Sequence, residues 1–120
     1  MAEVRDLSLE LIAAAMQAEG LEYTLTGDYA EADFASGPLL ASVEGEVLYL
    51  RMPLVEQVTE EHALAWNLRG MWPRIVQGET QSLAELSVYA PYGLSVDQVQ
   101  VQLRCLSAST EIFLRTLQRG

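Results

Sequence analysis

Nucleophilic catalysis needs a nucleophile, a base and a group to orient the base. This 120-residue chain offers only one cysteine, Cys105, and one histidine, His62, to begin from. His62 stands beside Glu60 and Glu61 in the first turns of a helical stretch, where a solvated histidine is the expectation. Cys105 falls on the weaker apolar stripe of a long helix, the usual place of a small buried hydrophobe. One histidine and one cysteine cannot furnish a zinc shell. Asp28, Glu31 and Asp33 cluster, but Ala30 and Ala32 occupy the third and fifth positions, where a calcium loop counted from Asp28 wants oxygen ligands. A glycosidase pair needs two carboxyls across a sugar-sized cleft, for which a domain this small has little room. Gly37, Gly45, Gly70, Gly78 and Gly93 stand alone at turns and form neither a Walker loop nor a dinucleotide fingerprint. The expectation is a non-enzyme with no catalytic residue, no metal and no cofactor.

The element carrying Cys105 is more informative than the thiol. Residues 95–119 read as one helix with two apolar stripes. Val96, Val99, Leu103, Leu106, Thr110, Phe113 and Leu117 keep to one face through alternating steps of three and four. Val101, Cys105, Ala108 and Ile112 repeat that spacing roughly 160° away at about 100° per residue. Asp97, Arg104 and Glu111 border this second stripe on one flank, and Gln102, Ser109 and Thr116 on the other. Ser95 and Gln98 have the form of a capping box that opens the helix. The strong stripe fits a sheet of the same chain. The weak one is small enough to be covered by the first helix, or else it forms an interface with another chain.

Upstream, apolar residues at Leu7, Leu11, Ile12, Ala15 and Met16 predict a helix over 7–19, capped by Asp6 and stopped by Gly20. Leu21, Tyr23 and Leu25 then alternate with Glu22 and Thr24 as a strand. Ala32 and Phe34 follow as a possible short strand, and Gly37-Pro38 is read as a break before a strand over 39–43. Glu44-Gly45-Glu46 is a hairpin signal leading to the most apolar strand, 47–52, which Pro53 closes. Thr59 caps a second helix that ends at Gly70. Residues 72–76 and 82–89 read as two more strands around Gln77-Gly78-Glu79. Trp66, Trp72, Tyr89 and Tyr92 gather at these junctions, with most of them expected in the core. Trp66 and Leu64 cannot share a face with all of Ala63, Asn67 and Gly70, so some apolar position on the second helix points outward. The order is helix, about three strands, helix, two strands, helix. It predicts an α+β domain over 1–120, an antiparallel sheet of about five strands packed with three helices.

Seventeen acidic against seven basic side chains give a net charge of −10, and none of the basic ones is lysine. Residues 1–61 carry 13 of the acids and two arginines, while residues 62–120 are close to neutral. Such a front half repels a phosphate backbone and favours basic partners, so direct nucleic-acid binding is not expected. No run of residues is apolar enough to span a bilayer, and Met1-Ala2-Glu3-Val4-Arg5-Asp6 lacks the regions of a secretory signal. A cytoplasmic protein without membrane contact is the expectation, in keeping with a lone cysteine.

The element order, the Trp66-Asn67 pair in the middle helix and the Gly93-Leu94-Ser95 entry to the last helix resemble YbjN-like bacterial proteins, which share their fold with type III secretion chaperones. The resemblance runs from about Leu11 to Leu117. Absence of lysine beside abundant alanine, leucine, valine and arginine points to a GC-rich bacterium, such as a Deinococcus. The resemblance implies a non-enzymatic homodimer that docks a partner protein as a chaperone or adaptor does, and charge complementarity favours a basic or nucleic-acid-handling partner. Trp66, Val101, Cys105, Ala108 and Ile112 are the candidate interface residues. The alternative from another class is a regulatory domain that binds a small ligand in the sandwich interior.

Overall fold

The computed structural model describes residues 3–55, 57–70, 72–78 and 80–118. In chain order its elements are β1 (Val4–Arg5), α1 (Leu9–Ala18), β2 (Tyr23–Thr26), β3 (Tyr29–Phe34), β4 (Gly37–Glu44) and β5 (Val47–Pro53), then α2 (Glu60–Leu68), β6 (Arg74–Gln77), β7 (Ser82–Tyr89), β8 (Leu94–Ser95) and α3 (Val96–Gln118). The fold is α+β. Six antiparallel strands form one sheet in the order β2-β3-β4-β5-β7-β6, and β1 with β8 makes a separate short ribbon. Met1, Ala2, Glu79 and Arg119, on which parts of the sequence reading fell, lie outside the described residues.

Besides β1, four strands precede α2 rather than about three, because β3 is a full member of the six-stranded sheet, paired with β2 on one side and β4 on the other. Its alternation is faithful: Ala30 and Ala32 are buried while Tyr29 and Asp33 face water. Gly37-Pro38 does not break the chain. The hairpin turns at Ala35-Ser36, and Pro38 sits inside β4 opposite Asp33. The described β4–β5 pairing starts only at Leu40, so at Pro38 the strand has one neighbour, where a missing N–H is tolerated.

Helix starts follow local hydrogen bonding. The Ser95–Gln98 box closes as expected: Gln98 N–H donates to Ser95 Oγ at 3.2 Å, and Ser95 N–H donates to Gln98 Oε1 at 2.8 Å. Thr59 Oγ1 accepts from His62 N–H at 3.1 Å, and Gly70 takes the left-handed conformation after α2, with φ +68°. For α1 the cap is Ser8, not Asp6; its Oγ accepts from Leu11 N–H at 3.1 Å, so the helix starts two residues later than its apolar pattern suggests. Gly93, with φ +84°, lies so close to the Arg5 carbonyl that a Cβ would collide with it. That contact lets the β1–β8 ribbon form.

One face of the sheet, carrying Ala30, Ala32, Leu39, Ala41, Leu48, Leu50, Met52, Ala84 and Leu86, is buried under the helices. α1 lies over β2, β3 and β4, α3 lies over β5 and β7, and the two helices pack on each other. Alanines under α1 let the backbones approach closely. The strong stripe of α3 is buried as predicted, from Val99 through Leu103 and Leu106 to Phe113. Within it Thr110 is fully buried, and among the described residues its hydroxyl has no hydrogen-bond partner. An unpartnered buried hydroxyl costs about 1–3 kcal/mol. Thr110→Val, which keeps the shape, is therefore expected to raise stability by about 1 kcal/mol, read as a higher urea midpoint at constant m-value. A fall in the midpoint would show that the hydroxyl is satisfied.

Candidate protein-docking surfaces

An antiparallel sheet with two free edges must close them or present them. The β6 edge is closed by a side chain. Asn67, on the side of α2 facing this edge, donates from Nδ2 to the Ile75 carbonyl and accepts from Ile75 N–H at Oδ1, both at 2.9 Å, as a neighbouring strand would. Trp66 anchors the same helix by donating from Nε1 to Pro73 O at 2.7 Å, and Gln77 Nε2 donates to Val58 O at 2.7 Å. The Trp66-Asn67 pair, noted in the sequence only for its resemblance, is thus an edge seal.

The β2 edge has no counterpart. Among the described residues, β2 pairs only with β3, and no side chain hydrogen-bonds to Tyr23–Thr26. An open depression of about 490 Å³ lies across β2 and β3, lined by Glu22 and Thr24 on one side and by Glu31 and Asp33 on the other. From Asp6 to Leu50 the sequence holds nine carboxylates and no lysine, arginine or histidine. Of these, Glu19 is neutralised within the chain by α3: Arg104 Nε and Gln100 Nε2 each donate to its Oε1 at 2.8 Å. The Arg104 hydrogen bond holds the Glu19 carboxyl below the usual glutamate range, against the opposing effect of desolvation. A depressed pKa of this kind adds stability that is present above the ordinary glutamate value and is lost as pH falls through the lowered one.

The sheet face opposite the helices carries a polar ladder. Arg51 Nε donates to Glu85 Oε2 at 2.7 Å from the facing strand, and its guanidinium lies 4.7 Å from the Tyr49 ring centre. On the far side of the molecule, the weak stripe of α3 faces solvent: Val101 and Ile112 are each 49% exposed, Ala108 is exposed and Cys105 is half-buried. The first helix does not cover it. α1 meets the flank of the stripe through Glu19, so four of the five interface candidates share one open helix face.

Trp66 is not among them. It is 3% exposed and packs edge-on against Phe113 with ring centres 5.0 Å apart, which places it in the core. The outward apolar positions of α2 are Leu64 and Leu68. The expectation that most of the four junction aromatics are core fails for the other three. Trp72 lies before the turn into β6, Tyr89 at the end of β7 and Tyr92 in the turn before β8, and all three are exposed.

His62 is half-buried rather than simply solvated. Its ring lies edge-on to Phe113, and its Nε2 is 2.9 Å from Thr116 Oγ1. Because Thr116 Oγ1 donates its own proton to Phe113 O at 2.6 Å, His62 Nε2 is the donor in this pair. Cys105 is eleven residues from Thr116, about 17 Å along the helix axis, and on the outer face, so the structure does not bring Cys105 and His62 together. Among the described residues, no group of three His, Cys, Asp or Glu side chains could hold a metal ion, and no helix is long and apolar enough to cross a membrane.

Together these features define an α+β protein with a single helix-covered sheet, sealed at one edge and open and acidic at the other. Compared with protein-family models, curated proteins and solved structures, the chain finds no match.

Proposed function

We propose that this protein is a non-enzymatic docking module, a small acidic homodimer of chaperone-like or adaptor type working in the cytoplasm. It holds an extended basic segment of a partner protein as an added strand on β2. The observation that carries this reading is the difference between the two sheet edges: Asn67 occupies the Ile75 N–H and C=O on the β6 edge, whereas among the described residues nothing pairs with the outer side of β2, beside Glu22, Glu31 and Asp33. Main-chain hydrogen bonds along β2 supply affinity in strand addition, and the carboxylates select for arginine and lysine side chains. The YbjN-like resemblance read from the sequence implies the same kind of module. A ligand pocket inside the sandwich has no such observation behind it; Leu11, Leu39, Leu48, Leu50, Leu103 and Phe113 fill that interior.

The test is a titration with a short peptide of alternating arginine and valine, followed by amide chemical shifts. Shifts are expected at Tyr23–Thr26, together with an affinity that falls several-fold for Glu31→Gln with Asp33→Asn. The affinity should be nearly lost near 1 M salt, where the Debye length is about 3 Å. Equal binding of an alternating glutamate and valine peptide, or shifts confined to other elements, would overturn the reading.

A further inference from the structure

Resting on the homodimeric part of that reading, we infer that two copies pair antiparallel along α3. Val101 of each packs on the partner's Ile112 and Cys105 on the partner's Ala108, flanked by two reciprocal Arg104–Glu111 ion pairs.

The stripe is self-complementary by its spacing. From Val101 to Cys105, Ala108 and Ile112 the steps are four, three and four, the same read in either direction. A two-fold axis passing between Leu106 and Ser107 therefore maps the stripe onto itself, as an isologous contact requires. Side-chain size agrees: branched Val101 and Ile112 stand at the ends, and small Cys105 and Ala108 at the centre, where the helices come closest. Among the described residues no element of the same chain covers this face, since α1 stays on the flank at Arg104 and Gln100 while α2 reaches α3 at Phe113 and Thr116.

The charges choose the direction. Arg104 and Glu111 lie on one flank, two turns apart. Reversing the second helix about that axis brings each Arg104 to within about 3 Å, along the helix axis, of the partner's Glu111, from a rise of about 1.5 Å per residue. A parallel pair sets each flank against the opposite one, where Gln102 and Ser109 offer no charge. Both ions have capacity left for the new contact. Arg104 uses Nε and Nη2 on Glu19, leaving Nη1, and Glu111 accepts from Arg115 at Oε1, leaving Oε2. The facing positions on the other flank, Gln102 and Ser109, are uncharged and do not repel. The stripe is about 17 Å long by the same helical rise, so this contact sits at the small end of specific interfaces and fits a dimer of micromolar strength.

Sedimentation equilibrium of the full chain over a concentration series tests the pairing. The wild type is expected to dimerise at micromolar concentrations. Val101→Glu with Ile112→Glu should weaken that roughly tenfold or more by burying unpaired charge at both ends of the apolar seam, with circular dichroism unchanged. Arg104→Glu, which sets two like-charged pairs across the seam, should weaken the dimer several-fold, and adding Glu111→Arg should restore most of the loss. These two positions are exposed, so the charge series decides the matter even if the apolar variant misfolds. A wild type that stays monomeric overturns the pairing and the homodimeric part of the proposed function, but leaves docking on β2 standing. A dimer that neither the apolar nor the charge variants weaken overturns the pairing alone. Weakening by Arg104→Glu that Glu111→Arg does not relieve overturns the antiparallel order.

Discussion

Phe113→Ala is expected to lower the unfolding free energy by about 3–5 kcal/mol, the range for truncating a fully buried aromatic ring. Phe113 has no exposed surface and stands where α3 meets α2, edge-on to Trp66 at 5.0 Å and to His62 at 5.5 Å. Its loss removes apolar burial and both aromatic contacts at once. The neighbours cannot close the gap, because Trp66 is tied to Pro73 through its indole N–H and His62 to Thr116. Domains of this size hold about 5–15 kcal/mol in total, so the variant should unfold at much lower urea, with its m-value unchanged. Phe113→Leu, which refills most of the volume, should lose less than half as much. A loss under about 1 kcal/mol for the alanine variant would mean that the site collapses freely, and that α2 is not fixed through this ring.

The strong stripe of α3 was legible because its seven members repeat a helical period over more than five turns, long enough for the pattern to dominate local noise. The Glu44-Gly45-Glu46 hairpin and the Ser95–Gln98 cap were legible for a different reason: each is set by a few adjacent residues. The β1–β8 ribbon was not. Two residues cannot show alternation, and Val4 pairs with Ser95 across nearly the whole chain. Gly37-Pro38 does not act as a break because the proline signal is local, whereas its tolerance depends on β4 pairing, among the described residues, only with β3 at that level. Trp66 stands among the interface candidates because helical geometry turns some apolar position of α2 outward without saying which, and sequence cannot show that Pro73 and Phe113 converge on this one. The weak stripe of α3 could be read as a stripe, but whether α1 would cover it depended on where α1 landed on the sheet. The unequal edges were hidden for a similar reason. Strand order is a tertiary fact, and in the sequence Asn67 is one polar residue in a helix.

Asn67→Ala carries the second large effect. It strips the partners from both Ile75 N–H and Ile75 C=O, beside a side chain that is almost wholly buried. Each unpaired buried backbone group costs about 1–3 kcal/mol. With water able to reach part of this edge, a combined loss of about 2 kcal/mol is expected, taken from the lower end of that range. The freed edge also becomes a template for other chains, so aggregation should rise with protein concentration in light scattering. Asn67→Asp separates the two halves of the bond pair. It keeps the acceptor for Ile75 N–H but sets a carboxylate against the Ile75 carbonyl oxygen, which raises the carboxyl's folded pKa. The variant should therefore be nearest to wild type below about pH 4, the ordinary aspartate value, and should lose stability as pH rises through the raised one. A neutral-pH Asn67→Ala protein with unchanged stability and solubility would mean that something other than Asn67 closes β6. The contrast between edges that places the partner on β2 would then fall with it.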